Sequence, residues 1–592
     1  MLSLSQKNLA SLKTNRIKLL WGLLVLLIII FVVRLFYLEV IRFSYYKNAA
    51  LNDQLKQYQI PASRGIIEAY DNGRIVPLVL NQTFYTVYID PSIITNISKT
   101  ANDIYSVIGG NLKHYMYLMK FKKLQYIIVA HKITQAQNKT LLAFHLPGVG
   151  TQSQDYRVYP DGSLASQLLG FVNNSGQGVY GIEQALNKEL AGTPGRVKAV
   201  TDVNGVPLAA NTNNIEIPPK NGKNIVLTIN VGIQSQVEQI IKKEYTTTKS
   251  QQINAIVMDP YNGHVVAMAN YPTYNPANYQ NVTNASVYDN GTVSDAIEPG
   301  SIMKTLTTPA ALNQGVIQPN TNFFDPAHWV VNGFNIHDIS IDGGPREQNI
   351  ASILALSLNT GATWMLMQMG GGQIDKKGID AWYNYMTQHY RLGRTTGIEQ
   401  GYEAAGYVPP PNMNDPSIDL RYANTSFGQG LLVTPLQMAS ALSSVLNGGT
   451  YYQPTLVAET ISPNGKAIIH QPKILEKNVV GPNIGNEMVP LMQNVVKAYL
   501  HGGFSFMNFS PNYIVGGKTG TAQVAKPTGG YYKNTYNGSY IGFVGGSKVK
   551  YVICVFNIKP KIPGYAGSFA GQPVFADIVH MLINEGFVSP KP

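Results

Sequence analysis

Leu19 to Val33 is an unbroken apolar run apart from Gly22. No other feature constrains the chain as tightly, because such a segment has to be hidden from water. Its 15 residues, 19 to 33, fall short of the ~20 that span a bilayer. Arg34 can snorkel to the headgroups, and Leu35, Phe36, Tyr37 and Leu38 carry the segment on. Lys7, Lys13, Arg16 and Lys18 precede it, and no acidic residue does. The positive-inside rule then predicts a cytoplasmic tail over 1–18, one transmembrane helix over 19–38, and the bulk of the protein outside the cytoplasm. A cleaved signal peptide would need an A-x-A site after the run. None is clear, so a retained plasma-membrane anchor is expected.

The chain beyond the anchor is long enough for roughly two to four domains. Hydrophobic residues make up 44% of the chain and charged ones 13%, which places it with globular proteins. The net charge of +12 is scattered, with no dense basic run and no nucleic-acid motif. It supports mild attraction to anionic lipid or an anionic polymer and nothing sharper. Cys554 is the only cysteine and lies in the apolar run Tyr551–Phe556, so a packed structural thiol is expected, with no disulfide or thiolate metal site. No histidine pair has H-E-x-x-H spacing, and no cofactor is called for.

Residues 39 to about 60 read as an exposed helical stalk. Turn signals at Pro61 to Gly65 lead into short strands, with a hairpin-type turn at Tyr70-Asp71-Asn72-Gly73. Residues 76–90 suggest two strands and 98–145 helices with polar faces. Loops and short strands fill 156–219, around one helix near 181–191 that is stopped by Gly192-Thr193-Pro194-Gly195. This region, 39–219, holds no nucleophile–base cluster and reads as a spacer or docking module. A boundary is expected near 217–222. Beyond it come a strand at 225–229, a helix at 231–245, and a hairpin from 255–258 and 265–269 turning at Asp259 to Gly263. Helices dominate from 301 to about 500. Strands return near 513–524, 540–545 and 551–558, and a helix over 575–585 comes last. The order predicts an α+β domain over 220–592, with an antiparallel sheet built from both of its ends and a helical subdomain between.

Within that domain Glu298-Pro299-Gly300-Ser301-Ile302-Met303-Lys304 places Ser301 and Lys304 about one helical turn apart, after residues that punctuate a helix start. Ser-x-x-Lys also occurs at Ser44/Lys47 and Ser547/Lys550, so spacing alone decides nothing. Two further motifs give it weight: Ser357-Leu358-Asn359, expected in a loop at a helix end, and Lys518-Thr519-Gly520-Thr521, expected on a strand. Lys304 can take the Ser301 proton only when neutral, which burial and a second cation, Lys518, would favour. Ser357 suits proton relay to a leaving amine, and Asn359 suits orienting Lys304 and a substrate amide. Lys518 and Thr519 suit a substrate carboxylate. Gly520 lets a substrate backbone lie along the strand, and the N–H groups of Ser301 and Thr521 suit an oxyanion.

The chain resembles class B penicillin-binding proteins over most of its length, least between about 95 and 150. Beside the three motifs, the likeness rests on Arg64-Gly65-Ile66-Ile67 with Asp71-Asn72-Gly73, Tyr159-Pro160-Asp161-Gly162, Leu169-Gly170-Phe171-Val172 and Gly181-Ile182-Glu183. It extends to Leu227-Thr228-Ile229-Asn230 with Gln234, Ala267-Met268-Ala269, and the long Ser426-Phe427-Gly428-Gln429-Gly430 with Val433 to Ala439. Tyr70, Asn230, Met303 and Leu358 depart from the family pattern without removing a chemical group.

The resemblance implies an elongated α+β pedestal and a penicillin-binding/β-lactamase-like transpeptidase domain. It implies a D,D-transpeptidase that takes the D-Ala-D-Ala end of stem peptides on nascent lipid-linked glycan, acylates a serine and passes the acyl group to a neighbouring amine. β-Lactams would acylate the same serine. A SEDS-type glycosyltransferase and other wall-synthesis membrane proteins are implied as partners, and the modest pedestal leans towards a septal role. A hydrolase on the same fold is the alternative, but no Glu-x-x-Leu-Asn segment lies between Asn359 and Lys518 to deliver water. A β-lactam receptor would need cytoplasmic signalling domains, and only about 18 residues precede the apolar run.

Overall fold

The computed structural model describes residues 5–46, 55–200, 215–338 and 345–592. It divides into two compact units, one of residues 1–62 with 193–221, the other of 63–192 with 222–592.

In the first unit a helix runs over Ser5–Phe36 and continues as one π-helical turn, Tyr37–Ile41. Its stretch Ile17–Ile41 is long and apolar enough to cross a membrane. Leu23, Leu26, Ile30 and Phe31 are all exposed, so the helix is apolar all round and has no core of its own. The same unit holds a three-stranded antiparallel sheet of Leu55–Ile60, Gly195–Val200 and Ile215–Ile217, with Gly195–Val200 in the middle. Residues 55–60 are therefore strand, where a helical stalk was expected. Residues 47–54 of that stalk lie outside the described residues.

The second unit contains two large sheets. The seven-stranded one is built on the hairpin Ile67–Asp71 and Arg74–Ile89, closed by Asn72 and Gly73 at φ 47° and 78°. Both φ values are positive, as a tight hairpin turn demands. Residues 74–89 form one 16-residue strand, not two, although Pro77 interrupts the donor pattern. Strand Asn224–Asn230 runs parallel to Ile67–Asp71 and antiparallel to Val457–Ile461. It thus joins this sheet rather than the hairpin that comes after it.

Helices Ile97–Ile108, Leu112–Leu118 and Gln135–Ala143 share a small core of Val87, Ile89, Ile104, Tyr115, Ile133 and Leu141 with strands Arg74–Ile89 and Ile127–Ile133. The all-helical reading of 98–145 missed the latter strand. The helix expected near 181–191 is two short ones, Gly181–Ala185 and Asn187–Ala191. Glu183, in the first of them, is fully buried. Arg64 Nε donates to its Oε2 at 2.7 Å and Arg157 Nε to its Oε1 at 2.8 Å. Gly65 is required beside them, since a Cβ there would stand 1.8 Å from Lys223 O.

The second sheet has five antiparallel strands in the order Val265–Tyr271, Gln252–Met258, Val549–Ile558, Tyr531–Gly545, Ile514–Ala525. Side-chain alternation splits it between two cores. Ala255, Val257, Ile553 and Val555 face helices Val231–Thr248 and Gln572–Asn584, whose Ile233, Val237, Phe575 and Val579 share their core. Ile256, Met258, Val552, Cys554 and Phe556 join the larger core, with Met438 and Leu442 of helix Pro435–Leu446. Burial on both faces explains why 551–556 is apolar without alternation. It also holds the Cys554 thiol fully buried, with its pKa pushed up by desolvation. Helix Pro435–Leu446 is buried at every position and starts from a capping box of Thr434 and Gln437.

Candidate active site

Ser301 sits in a 3-10 turn, Gly300–Met303, that runs directly into the helix Lys304–Asn313. The turn is wedged against the edge strand Ile514–Ala525. Gly300 has φ 62°, and a Cβ on it would lie 2.8 Å from Thr521 O. Its amide donates to Gly428 O at 3.0 Å, and a Cβ on Gly428 would reach within 2.0 Å of Gly300 O. Two glycines thus let three backbone segments meet at the nucleophile.

One turn on, Lys304 is fully buried. Its Nζ lies 2.9 Å from Ser301 Oγ, 2.9 Å from Ser357 O, 2.8 Å from Asn359 Oδ1 and 3.4 Å from Ser357 Oγ. Ser357 stands between helices Ile350–Ala355 and Asn359–Met369, as expected for a loop at a helix end. Its φ of 62° is left-handed for a residue with a Cβ, a strain that turns its carbonyl and hydroxyl onto the lysine. Burial is the main cause that pushes the Lys304 pKa well down. The Lys518 charge adds to it and Asp338 opposes it.

Lys518 is likewise fully buried, on the edge strand, and burial brings it down to about 7. Its Nζ donates to Thr519 O at 3.1 Å. The Thr519 hydroxyl is engaged by that of Tyr499. Gly520 is held close by Ser539 and Pro299, 2.3 Å and 2.6 Å from where its Cβ would be. Thr521 is the member of this motif that lines the open cleft, and its Oγ1 accepts from Gly567 N at 2.9 Å.

The cleft measures about 920 Å³ and is lined by Ser301, Asn359, Thr521 and Gln523, with Phe334, Phe427, Tyr531 and Tyr565 among its apolar surfaces. Because Ile514–Ala525 ends the sheet, an extended peptide can add to it as a further strand.

A neutral lysine amine has two N–H donors and one lone pair. Ser357 O and Asn359 Oδ1 can only accept, so they take both donors. The lone pair is then left for the Ser301 hydroxyl, which can donate. The geometry can therefore draw the proton from Ser301 as soon as Lys304 is uncharged.

Asp338 was not legible in the sequence. It is buried, accepts from Thr360 N at 3.1 Å and Thr360 Oγ1 at 2.7 Å, and also accepts from Asn359 N. It fixes the start of the helix that presents Asn359. No motif marks it, because it lies 21 residues from its partner in sequence. Among the described residues no group of three or more His, Cys, Asp or Glu could hold a metal ion.

Known proteins share this arrangement of domains and fold. Residues 253–580 match the family model described as penicillin binding protein transpeptidase domain, and residues 59–227 the one described as penicillin-binding protein dimerisation domain. Stage V sporulation protein D of Bacillus subtilis is 30% identical over 97% of this chain and 86% of its own length. Peptidoglycan D,D-transpeptidase FtsI of Escherichia coli is 25% identical over 97% of this chain and 92% of its own length. Penicillin-binding protein 2X of Streptococcus thermophilus shares the fold, with a TM-score of 0.72 at 24% identity over 90% of this chain and 80% of that one.

Proposed function

The chain belongs to the penicillin-binding protein transpeptidase family, and from that membership we infer that it is a peptidoglycan D,D-transpeptidase acting through an acyl-enzyme on Ser301. Neutral Lys304 takes the Ser301 proton, and Oγ attacks the penultimate carbonyl of a D-Ala-D-Ala stem end. The N–H groups of Ser301 and Thr521 receive the oxyanion. The proton passes from Lys304 by way of Ser357 to the departing D-alanine amine. Lys304, neutral again, then serves as base for the amine of a neighbouring stem, which resolves the acyl-enzyme. Asn359 orients Lys304 and a substrate amide. Lys518 attracts the terminal carboxylate by its charge, and Thr521, which lines the cleft, meets it in place of Thr519, whose hydroxyl is engaged by Tyr499, with Gly520 leaving room for the peptide backbone. β-Lactams acylate the same serine because they mimic the substrate.

Away from the site, residues 39–219 serve as pedestal and 220–592 as transpeptidase domain. The apolar helix anchors the protein in the plasma membrane, with its basic N-terminus cytoplasmic. The anchor and pedestal contact a SEDS-type glycan polymerase, and the role is septal.

The single observation that carries the mechanism is the Lys304 amine within 2.9 Å of Ser301, Ser357 and Asn359 in a fully buried place. Incubation of the full chain in detergent with a fluorescent penicillin, then peptide mapping, tests it. An adduct on Ser301 that is absent from Ser301→Ala is expected. Labelling elsewhere, or of Ser301→Ala, would overturn the assignment. Slow release of the label is expected of a transpeptidase, and fast release would favour a hydrolase.

A further inference from the structure

Three residues before the nucleophile, Glu298 ties together parts of the cleft that are far apart in sequence. Its Oε1 accepts from Gly430 N at 2.9 Å and from the Tyr531 hydroxyl at 2.9 Å. Gly430 belongs to the Ser426–Gly430 turn. That turn is already bound to the nucleophile segment through Gly428 O, and just after it the backbones of Val433 and Ile297 pair. Tyr531 belongs to the opposite wall, where it begins the strand Tyr531–Gly545 and faces Ala525 at the outer end of the Lys518 strand. Deeper in, Ser539 of the same strand donates to Pro299 O at 2.8 Å. The sheet is thus fixed to the nucleophile turn at its base by Ser539 and at its rim by Glu298.

Beyond its backbone pairing with the Lys518 strand, the rim is largely exposed. Lys533 and Asn534 are exposed, whereas the strand is continuously buried from Asn537 onward. Tyr531 and Gln523 line the cleft just where a peptide lying along the edge strand would leave Thr521. Glu298 Oε2 is buried without a hydrogen-bond partner among the described residues. A carboxylate in that position is costly unless its other oxygen does something required.

We propose that Glu298 is a positioning residue for substrate capture: through Oε1 it latches the Tyr531 rim of the sheet to the nucleophile turn and so fixes the aperture over Ser301. It touches no reacting atom. It acts on binding, because the rim meets the extended part of the peptide, while Lys304 is held by Ser301, Ser357 and Asn359 and, among the described residues, makes no hydrogen bond to the rim.

The inference rests on acylation at Ser301, and the experiment separates the two. A thioester analogue of the stem peptide is turned over by the full chain in detergent, and KM and kcat are measured separately. Tyr531→Phe removes only the donor and is expected to raise KM about three- to tenfold, with kcat within about twofold of the parent. Glu298→Ala is expected to do the same, and the double variant to be no worse than Glu298→Ala alone. Glu298→Gln, whose amide oxygen still accepts, is expected to recover most of the loss. Melting temperatures establish that each variant is folded. Unchanged KM in Tyr531→Phe, or effects that multiply in the double variant, would overturn the latch. Absence of turnover and of any Ser301 adduct in the parent would instead overturn the acyl-enzyme reading.

Discussion

Two lysines buried within one site set the character of this protein at the scale of single residues. Neither has a carboxylate at hydrogen-bonding distance among the described residues. Lys304 is enclosed by two carbonyl oxygens and a serine, and Lys518 by the carbonyl and hydroxyl of Thr519. Such groups are kept at the expense of stability. Lys518 has its pKa lowered to about 7 by burial, against about 10.4 in an unfolded chain. Between those values the unfolded state holds the proton and the folded state does not, so stability rises with pH across that window. Below about 7 the folded protein carries the buried charge and the whole destabilisation is present. Lys518→Met should therefore melt at a higher temperature than the parent at pH 7, with the advantage closing towards pH 10, while losing acylation. Thermal melts across pH check this, and a lower melting temperature at pH 7 would contradict it. That Ser301, Lys304, Ser357 and Asn359 meet in one place was legible because motif order constrains it. Asp338 was not, because a carboxylate that caps a helix from 21 residues away leaves no local pattern.

Elements bring these residues together through close backbone approaches. The nucleophile turn can lie against the Lys518 strand only because Gly300 has no side chain, and against the Ser426–Gly430 turn only because Gly428 has none. Gly300→Ala combines a left-handed φ of 62° with a Cβ 2.8 Å from Thr521 O. The conformational term alone is about 1–2 kcal/mol, and relief of the clash must move Ser301 relative to Thr521. A displacement near 1 Å at a reacting centre costs on the order of a hundredfold in rate. Penicillin acylation of Gly300→Ala should fall by about that much while the protein remains folded. Acylation at the parent rate would show that the contact is slack.

Unbroken apolar runs marked most of the strands of the five-stranded sheet, because their two faces enter two distinct cores. It failed where partners are remote. Residues 55–60 are strand because Gly195–Val200 pairs with them. Strand Asn224–Asn230 joins the Ile67–Asp71 sheet through a parallel pairing that nothing in its own seven residues specifies.

Across the whole molecule, stability comes from packed cores more than from charge. Lys243–Asp577, Lys376–Asp380 and Arg421–Asp415 are exposed pairs of small worth. The paired charges with buried partners are Arg64 and Arg157 on Glu183. Among the described residues Glu238, half-buried on its helix, has no cation within ion-pair distance. Glu238 accepts from Ala165 N at 2.7 Å and Gln234 Nε2 at 2.8 Å, and burial raises its pKa to about 7. The folded state therefore binds its proton more tightly than the unfolded one, and this group adds stability as pH falls from about 7 towards 4.5. Glu238→Gln keeps the accepting oxygen and removes the charge. It should melt above the parent at pH 8 and level with it near pH 4.5. A variant that melts lower at pH 8 would contradict the assignment.

The proposed mechanism makes one demand, that Lys304 be uncharged when it meets Ser301 while Lys518 keeps its proton to hold the substrate. The second-order rate constant for penicillin acylation of the full chain, measured against pH, tests that demand directly. The free enzyme's ionisations govern this constant. It should rise as Lys304 loses its proton and fall above about 7, where Lys518 loses its own. Lys518→Arg, which stays charged, should lose the descending limb. A rate constant that is flat across the range, or one that climbs steadily to pH 10 as an ordinary lysine would dictate, would contradict it.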